Sequence, residues 1–189
     1  MNKVSNWKHN APKLYYEKCI KMFGEPIYTA NVRYGCAKWK VKGLFTEHYL
    51  KDEFVPHCVP GNHHDFFYST IKFHVPQNKL PDVLKISGSI LYDGLKKHLT
   101  ARCATIEANY ATLYLGQLVA MGKLDILEVK KNNLYEKMIR GEIIPYFIMK
   151  KEMIKEKKKN HKKFKTQLSQ ISKLQVHFQT EYILFLFYD

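Results

Sequence analysis

The chain has 189 residues, 46% of them hydrophobic and 14% aromatic, and a formal net charge of +14. That apolar content excludes a globally disordered chain, and the length suits one domain of ordinary size with an appendage. Four cysteines without a CxxC pair show no disulfide-framework spacing and predict reduced, mostly buried thiols in an intracellular compartment, and the first stretch, MNKVSNWKHNAPK, has no apolar core and predicts no secretory signal.

Residues 11–23, APKLYYEKCIKMF, predict a helix with Asn10 as N-cap, Pro12 in the first turn and Gly24 just past the end. Its apolar face reads as Leu14, Tyr15, Cys19, Met22 and Phe23. From Cys36 to Lys42 strict alternation puts Ala37, Trp39 and Val41 on one side and Lys38, Lys40 and Lys42 on the other. This is the pattern of a half-buried antiparallel strand with a wet, cationic face. Tyr34-Gly35 turns it back on an earlier strand at about 27–33, and residues 44–50 offer a third.

Residues 66–75, FFYSTIKFHV, alternate again, with Phe67, Ile71, Phe73 and Val75 facing in and Ser69 the exception. Tyr68, Thr70, Lys72 and His74 face out, and Pro76 closes the strand. The turn residues Pro60-Gly61-Asn62 put His57–Asp65 on a loop entering this strand. A short helix around Leu80–Leu84 is broken by Ser87-Gly88-Ser89. A long helix is then expected, capped by Asp93, running through Leu95, Leu99, Cys103, Ile106, Tyr110, Leu113 and Leu118, and stopped by Gly122. A further helix over 126–140 is capped by Asp125 and ended by Gly141, with Ile126, Val129, Leu134 and Met138 inside.

Pro145 starts a last apolar spacing, Tyr146, Met149 and Met153, which fails in KEKKKNHKK at 155–163. That run holds no apolar residue and cannot pack on a core with its own side chains. A stripe resumes at Phe164, Leu168, Ile171 and Leu174, followed by the strand-like tail VHFQTEYILFLFYD. The tail's apolar run Ile183–Phe187 is far too short to cross a bilayer. The expected fold is α+β, a small antiparallel sheet covered by helices, with a basic C-terminal helix or arm. The expected organisation is a globular domain over 1–148, a lysine-rich segment over 149–174 and an apolar tail over 175–189.

Charge is segregated along the chain. Residues 149–174 hold ten Lys and two Glu, whereas residues 175–189 hold two acids and no base. Half of the excess positive charge therefore sits in one short segment. Lys150, Lys151, Lys155, Lys157, Lys158, Lys159, Lys162, Lys163 and Lys165 form a candidate nucleic-acid contact, since neutralising phosphates releases their counterions. Lys38, Lys40 and Lys42 form a second candidate anion-binding strip, with Tyr34 beside it for stacking. Neither carries a base-reading pattern, so no sequence specificity is expected.

The densest chemistry lies in HCVPGNHHDFF, residues 57–67. A divalent metal such as zinc needs three or four N, S or O donors. The candidate set is His57, His63, Asp65 and His74, with Cys58 as an alternative to His57 and His48 as a further donor. The spacing matches neither paired CxxC ligands nor HExxH on a helix, and a polar surface turn accounts for the same residues. Gly-rich phosphate loops, GxSxG and kinase signatures are absent. His98 and Cys103 lie five apart on the expected long helix and so point away from each other.

HCVPGNHHDFFYSTIKFHVP (57–76) and KISGSILYDGLKKHLTARC (85–103) resemble segments of uncharacterised proteins encoded by large DNA viruses of algae and amoebae, the nucleocytoplasmic large DNA virus group. The resemblance spans roughly residues 25–140 and carries over no active-site residue. It implies a viral protein made in an infected cell, with the virion as a destination and capsid proteins among its partners. The resulting expectation is a non-enzymatic structural or genome-associated protein that contacts nucleic acid or acidic protein surfaces through its basic segment and needs no cofactor. The alternative is a metal-dependent hydrolase or nuclease centred on the His/Asp residues at 57–74.

Overall fold

The structure is a computed structural model that describes residues 4–30, 35–41, 45–58 and 61–143. Its class is α+β, as expected from the sequence. Six strands form one sheet in the order β1-β2-β3-β4-β6-β5: β1 Tyr28–Ala30, β2 Cys36–Lys40, β3 Phe45–His57, β4 His63–Lys72, β5 Ile90–Asp93 and β6 His98–Cys103. Every neighbouring pair is antiparallel. Helix α1 (Asn10–Phe23) precedes the sheet, α2 (Leu80–Leu84) links β4 to β5, and α3 (Ile106–Ala120), α4 (Ile126–Lys131) and α5 (Leu134–Ile139) follow it. None of the described helices is long and apolar enough to cross a membrane.

The alternation around Trp39 behaves as the sequence predicts. Ala37 and Trp39 are buried, while Lys38 pairs with Glu47 across the strand at 2.5 Å and Lys40 is exposed. The same inward set continues through Leu50, Phe67, Ile71, Leu99 and Ala101. Under α1 these residues meet Tyr15, Tyr16 and Cys19; under α3 they meet Leu113, Leu115 and Leu118. Twelve of the 15 residues of α3 are buried. A helix apolar on all sides must be enclosed, and here the sheet lies on one side with α2 and α5 packed on the others. Gly116 permits the close approach: a Cβ there would lie 3.2 Å from Leu99 Cδ2. Asn109 ties α3 to β4, donating from Nδ2 to the Phe67 carbonyl and to Ser69 Oγ, both at 3.0 Å.

Five expectations are corrected. The first helix starts at Asn10, so Asn10 is not its cap; the N-cap is His9, whose side chain makes no capping bond. The entry is held instead by Asp52 on β3, which accepts from the backbone N–H of Lys8 at 2.5 Å and of His9 at 2.9 Å. Leu14, placed on the inner face by spacing, is 74% exposed, and Tyr16 is buried in its stead.

The expected long helix does not begin at Asp93. Residues 90–103 form the β5–β6 hairpin, in which Asp93 Oδ1 accepts from Leu95 N–H at 3.1 Å and Lys96 N–H at 3.0 Å. Lys97 turns the chain with φ 55°, and Leu95 stands 98% exposed at the tip. Cys103 and His98 accordingly lie on a strand. The expected helix over 126–140 is two helices, broken where Asn133 adopts φ 50°, although Asp125 caps the first as expected, accepting from Leu127 N–H at 2.6 Å.

Lastly, His57–Asp65 is not a loop entering a strand. β3 runs on to His57, β4 starts at His63, and these two histidines are direct cross-strand partners. A register shift interrupts the β3–β4 pairing between Leu50 and Val55.

Candidate metal centre

Three elements supply the site. The β3–β4 hairpin end contributes His57, His63 and Asp65, the α2–β5 connection contributes Ser89, and the end of β6 contributes Arg102 and Cys103. Of the residues proposed from sequence, the structure joins His57, His63 and Asp65, whose donor atoms lie within 4.8 Å of one another. It does not join His74, which lies beyond the end of β4 with Nδ1 3.3 Å from Tyr92 Oη. His48 is also elsewhere, buried beside Ser69 and stacked on Phe23 and Phe67. Lys42 and the lysines at 150–165 lie outside the described residues.

The protonation of His63 follows from one contact. Its Nδ1 lies 2.7 Å from the Gly61 carbonyl oxygen, which can only accept, so Nδ1 carries the hydrogen. In the neutral ring Nε2 is then a bare lone pair. Around it stand His57 Nδ1 at 3.3 Å, Asp65 Oδ1 at 3.1 Å and Cys103 Sγ at 3.4 Å. Asp65 is fully buried. Its Oδ2 accepts from Ser89 Oγ–H at 2.5 Å and from Arg102 Nε at 3.4 Å, but its Oδ1 receives no hydrogen bond. A buried carboxylate oxygen 3.1 Å from an imidazole nitrogen calls for positive charge between them, which a proton or a metal ion supplies.

The three spacings around His63 Nε2 are close to the edges of a tetrahedral coordination shell. Ligands at zinc distances subtend edges of about 3.3 Å between two nitrogens and about 3.6 Å between nitrogen and sulfur. The carbonyl of Gly61 behind His63 is the kind of support that orients metal-bound imidazoles. Burial holds His57 below the usual imidazole range against the opposing pull of Asp65, with His63 and Arg102 adding to the lowering. The neutral imidazole this favours is the ligating form.

Two nucleophilic readings fail, one on geometry and one on protonation. Ser89, His57 and Asp65 are neighbours, yet Ser89 Oγ and Asp65 both approach the same ring nitrogen, Nδ1, at 3.1 and 3.7 Å. A relay needs hydroxyl and carboxylate on opposite nitrogens. Cys103 sits beside His63, but burial pushes its thiol up to about 11, with the neighbouring Asp65 adding to the rise against the pull of the Thr105 and Ala104 N–H groups. A thiol held protonated in this way is a poor nucleophile.

Sequence reasoning missed Ser89, Arg102 and Cys103. Only Ser89 carried a local signal, in the Ser-Gly-Ser break, where Gly88 lies beside His57. No family model, curated protein or solved structure matches the chain.

Proposed function

We propose that this chain is a non-enzymatic metalloprotein that binds polyanions, with a zinc-type centre at His57, His63 and Asp65 and a lysine-dense segment over 149–174 that engages nucleic acid or an acidic protein surface. What supports the metal half is a single observation: the fully buried Asp65 Oδ1 has no hydrogen-bond partner and lies 3.1 Å from His63 Nε2, with His57 in the same group. What supports a structural role for the metal is enclosure. The Asp65 side chain is 0% exposed, His57 13% and His63 21%. A centre sunk this deep, joining one hairpin to two other parts of the fold, is suited to clamping them. The polyanion half is supported by the ten lysines in 26 residues. In the viral setting implied by the resemblance, such a protein would act beside the genome or capsid.

The hydrolase or nuclease alternative rests on a different observation: three protein donors leave a fourth coordination position, and Arg102, 3.4 Å from Asp65 Oδ2, adds a cation to the same group.

Metal analysis of the purified full-length chain, alone and as His63→Ala, tests the centre. About one equivalent of zinc is expected in the parent and none in the variant at unchanged circular dichroism; a parent that neither holds zinc nor competes with a chelator for it overturns the reading. Replacing the nine lysines at 150–165 by Gln in the full chain is expected to flatten the salt dependence of DNA binding, by about 0.9 log unit per lost phosphate contact. An unchanged slope sinks the polyanion half. Metal-dependent cleavage of the bound DNA transfers the preference to the hydrolase.

A further inference from the structure

Building on the metal reading above, we propose that Cys103 is the fourth ligand: its thiolate joins His57, His63 and Asp65 in a closed N2OS shell selective for zinc. Cys103 is the last residue of β6, paired in register with Phe67 of β4, and its side chain lies on the helix-covered side of the sheet. Its Sγ is 3.4 Å from His63 Nε2, close to the edge of about 3.6 Å that nitrogen and sulfur span on zinc. It is also almost solvent-free, at 4% exposure.

The donor chemistry points the same way. Two imidazoles, a carboxylate and a thiolate form a borderline-soft set that discriminates against magnesium and calcium, which take oxygen ligands. Charge closes as well: one carboxylate and one thiolate neutralise a divalent ion, while Arg102 remains on Asp65 Oδ2. On binding, the S–H bond of Cys103 breaks and an S–metal bond forms. The proton passes to solvent and the ion releases a water, with no change of oxidation state. A thiolate in the fourth position leaves no site for an activated water. The centre then fastens the β3–β4 hairpin to the end of β6 and does not hydrolyse.

Cobalt(II) added to the chelator-treated full-length chain reads out the thiolate directly. The parent is expected to show intense visible bands of tetrahedral cobalt together with a near-ultraviolet thiolate-to-cobalt charge-transfer band. Cys103→Ser loses the charge-transfer band, whereas Cys58→Ser, which removes the exposed cysteine next to His57, keeps it. Survival of the band in Cys103→Ser, or its loss in Cys58→Ser, overturns the assignment. Cobalt bound by the parent with visible bands and no charge transfer removes Cys103 and leaves the three-ligand centre standing. No cobalt bound by the parent removes both. Should Cys103→Ser fail to fold, X-ray absorption of the zinc-loaded parent decides: one sulfur at about 2.3 Å is expected, and a shell of nitrogen and oxygen alone refutes it.

Discussion

Removing the Asp52 carboxylate tests how the N-terminal segment is held. Asp52 is 6% exposed, and its two oxygens accept from the backbone N–H groups of Lys8 and His9, just ahead of α1. His9 offers no side-chain cap, so these are the described bonds that tie the helix entry to the sheet through a side chain. A hydrogen bond to a charged group contributes about 1.5–3 kcal/mol, and water entering the partly open site restores a share of it, so Asp52→Ala is expected to cost about 2–3 kcal/mol in total. For a chain of this size that lowers the melting temperature by about 5–10 °C.

Asp52→Asn falls between, because an amide presents one acceptor where two N–H groups converge. Urea unfolding followed by tryptophan emission is the assay. Trp7 and Trp39, 2% and 1% exposed, both lie in the cluster under α1 and report its loosening by a red shift. A midpoint within error of the parent at unchanged slope, for Asp52→Ala, refutes the reasoning.

Gly35→Ala is expected to destabilise by about 1–3 kcal/mol, since the added Cβ would lie 2.2 Å from Trp7 Nε1 and the indole must move; a thermal melt equal to the parent's argues against that contact. Asn109→Ala loses the bonds to Phe67 O and Ser69 Oγ and is expected to cost about 1–3 kcal/mol by urea titration, with the buried carbonyl of Phe67 left short of a partner. In chelator-treated protein the lowered titration of His57 makes the folded form bind fewer protons than the unfolded one. Its stabilising share is therefore complete above about pH 6.5 and is lost as pH falls through the lowered value. Urea midpoints taken downward from neutral pH should fall more steeply for the parent than for His57→Gln, and parallel curves contradict the assignment.

Where one side of an element is wet, the sequence is legible. The Ala37/Trp39 alternation is read correctly because lysines mark the other face, whereas in β4 Tyr68 and Thr70, expected to face out, are buried along with Phe67 and Ile71. Residues 90–103 are misread because Leu95, Leu99 and Cys103 recur every four residues, as in a helix, while Leu99, Ala101 and Cys103 also recur every two, as in a strand. The deciding feature is the Asp93-Gly94 turn, whose side-chain bonds to Leu95 and Lys96 compete with helix formation. At the site, a local cluster of histidines exposes three members of the group to a reader. Ser89, Arg102 and Cys103 lie 24, 37 and 40 residues from their partners and meet them only because β6 inserts between β4 and β5. His74 illustrates the converse: nearness in sequence did not bring it near, because the chain leaves the sheet at Lys72.

The direct facing of His57 and His63 across one hairpin bears on the order of assembly. A hairpin closes within microseconds, whereas seating β6 requires a far larger loop to be closed. Two donors are thus paired early and the remainder of the pocket arrives late. An ion caught by the early pair would act as a nucleation point, drawing the late strand into register and raising the folding rate along with the stability.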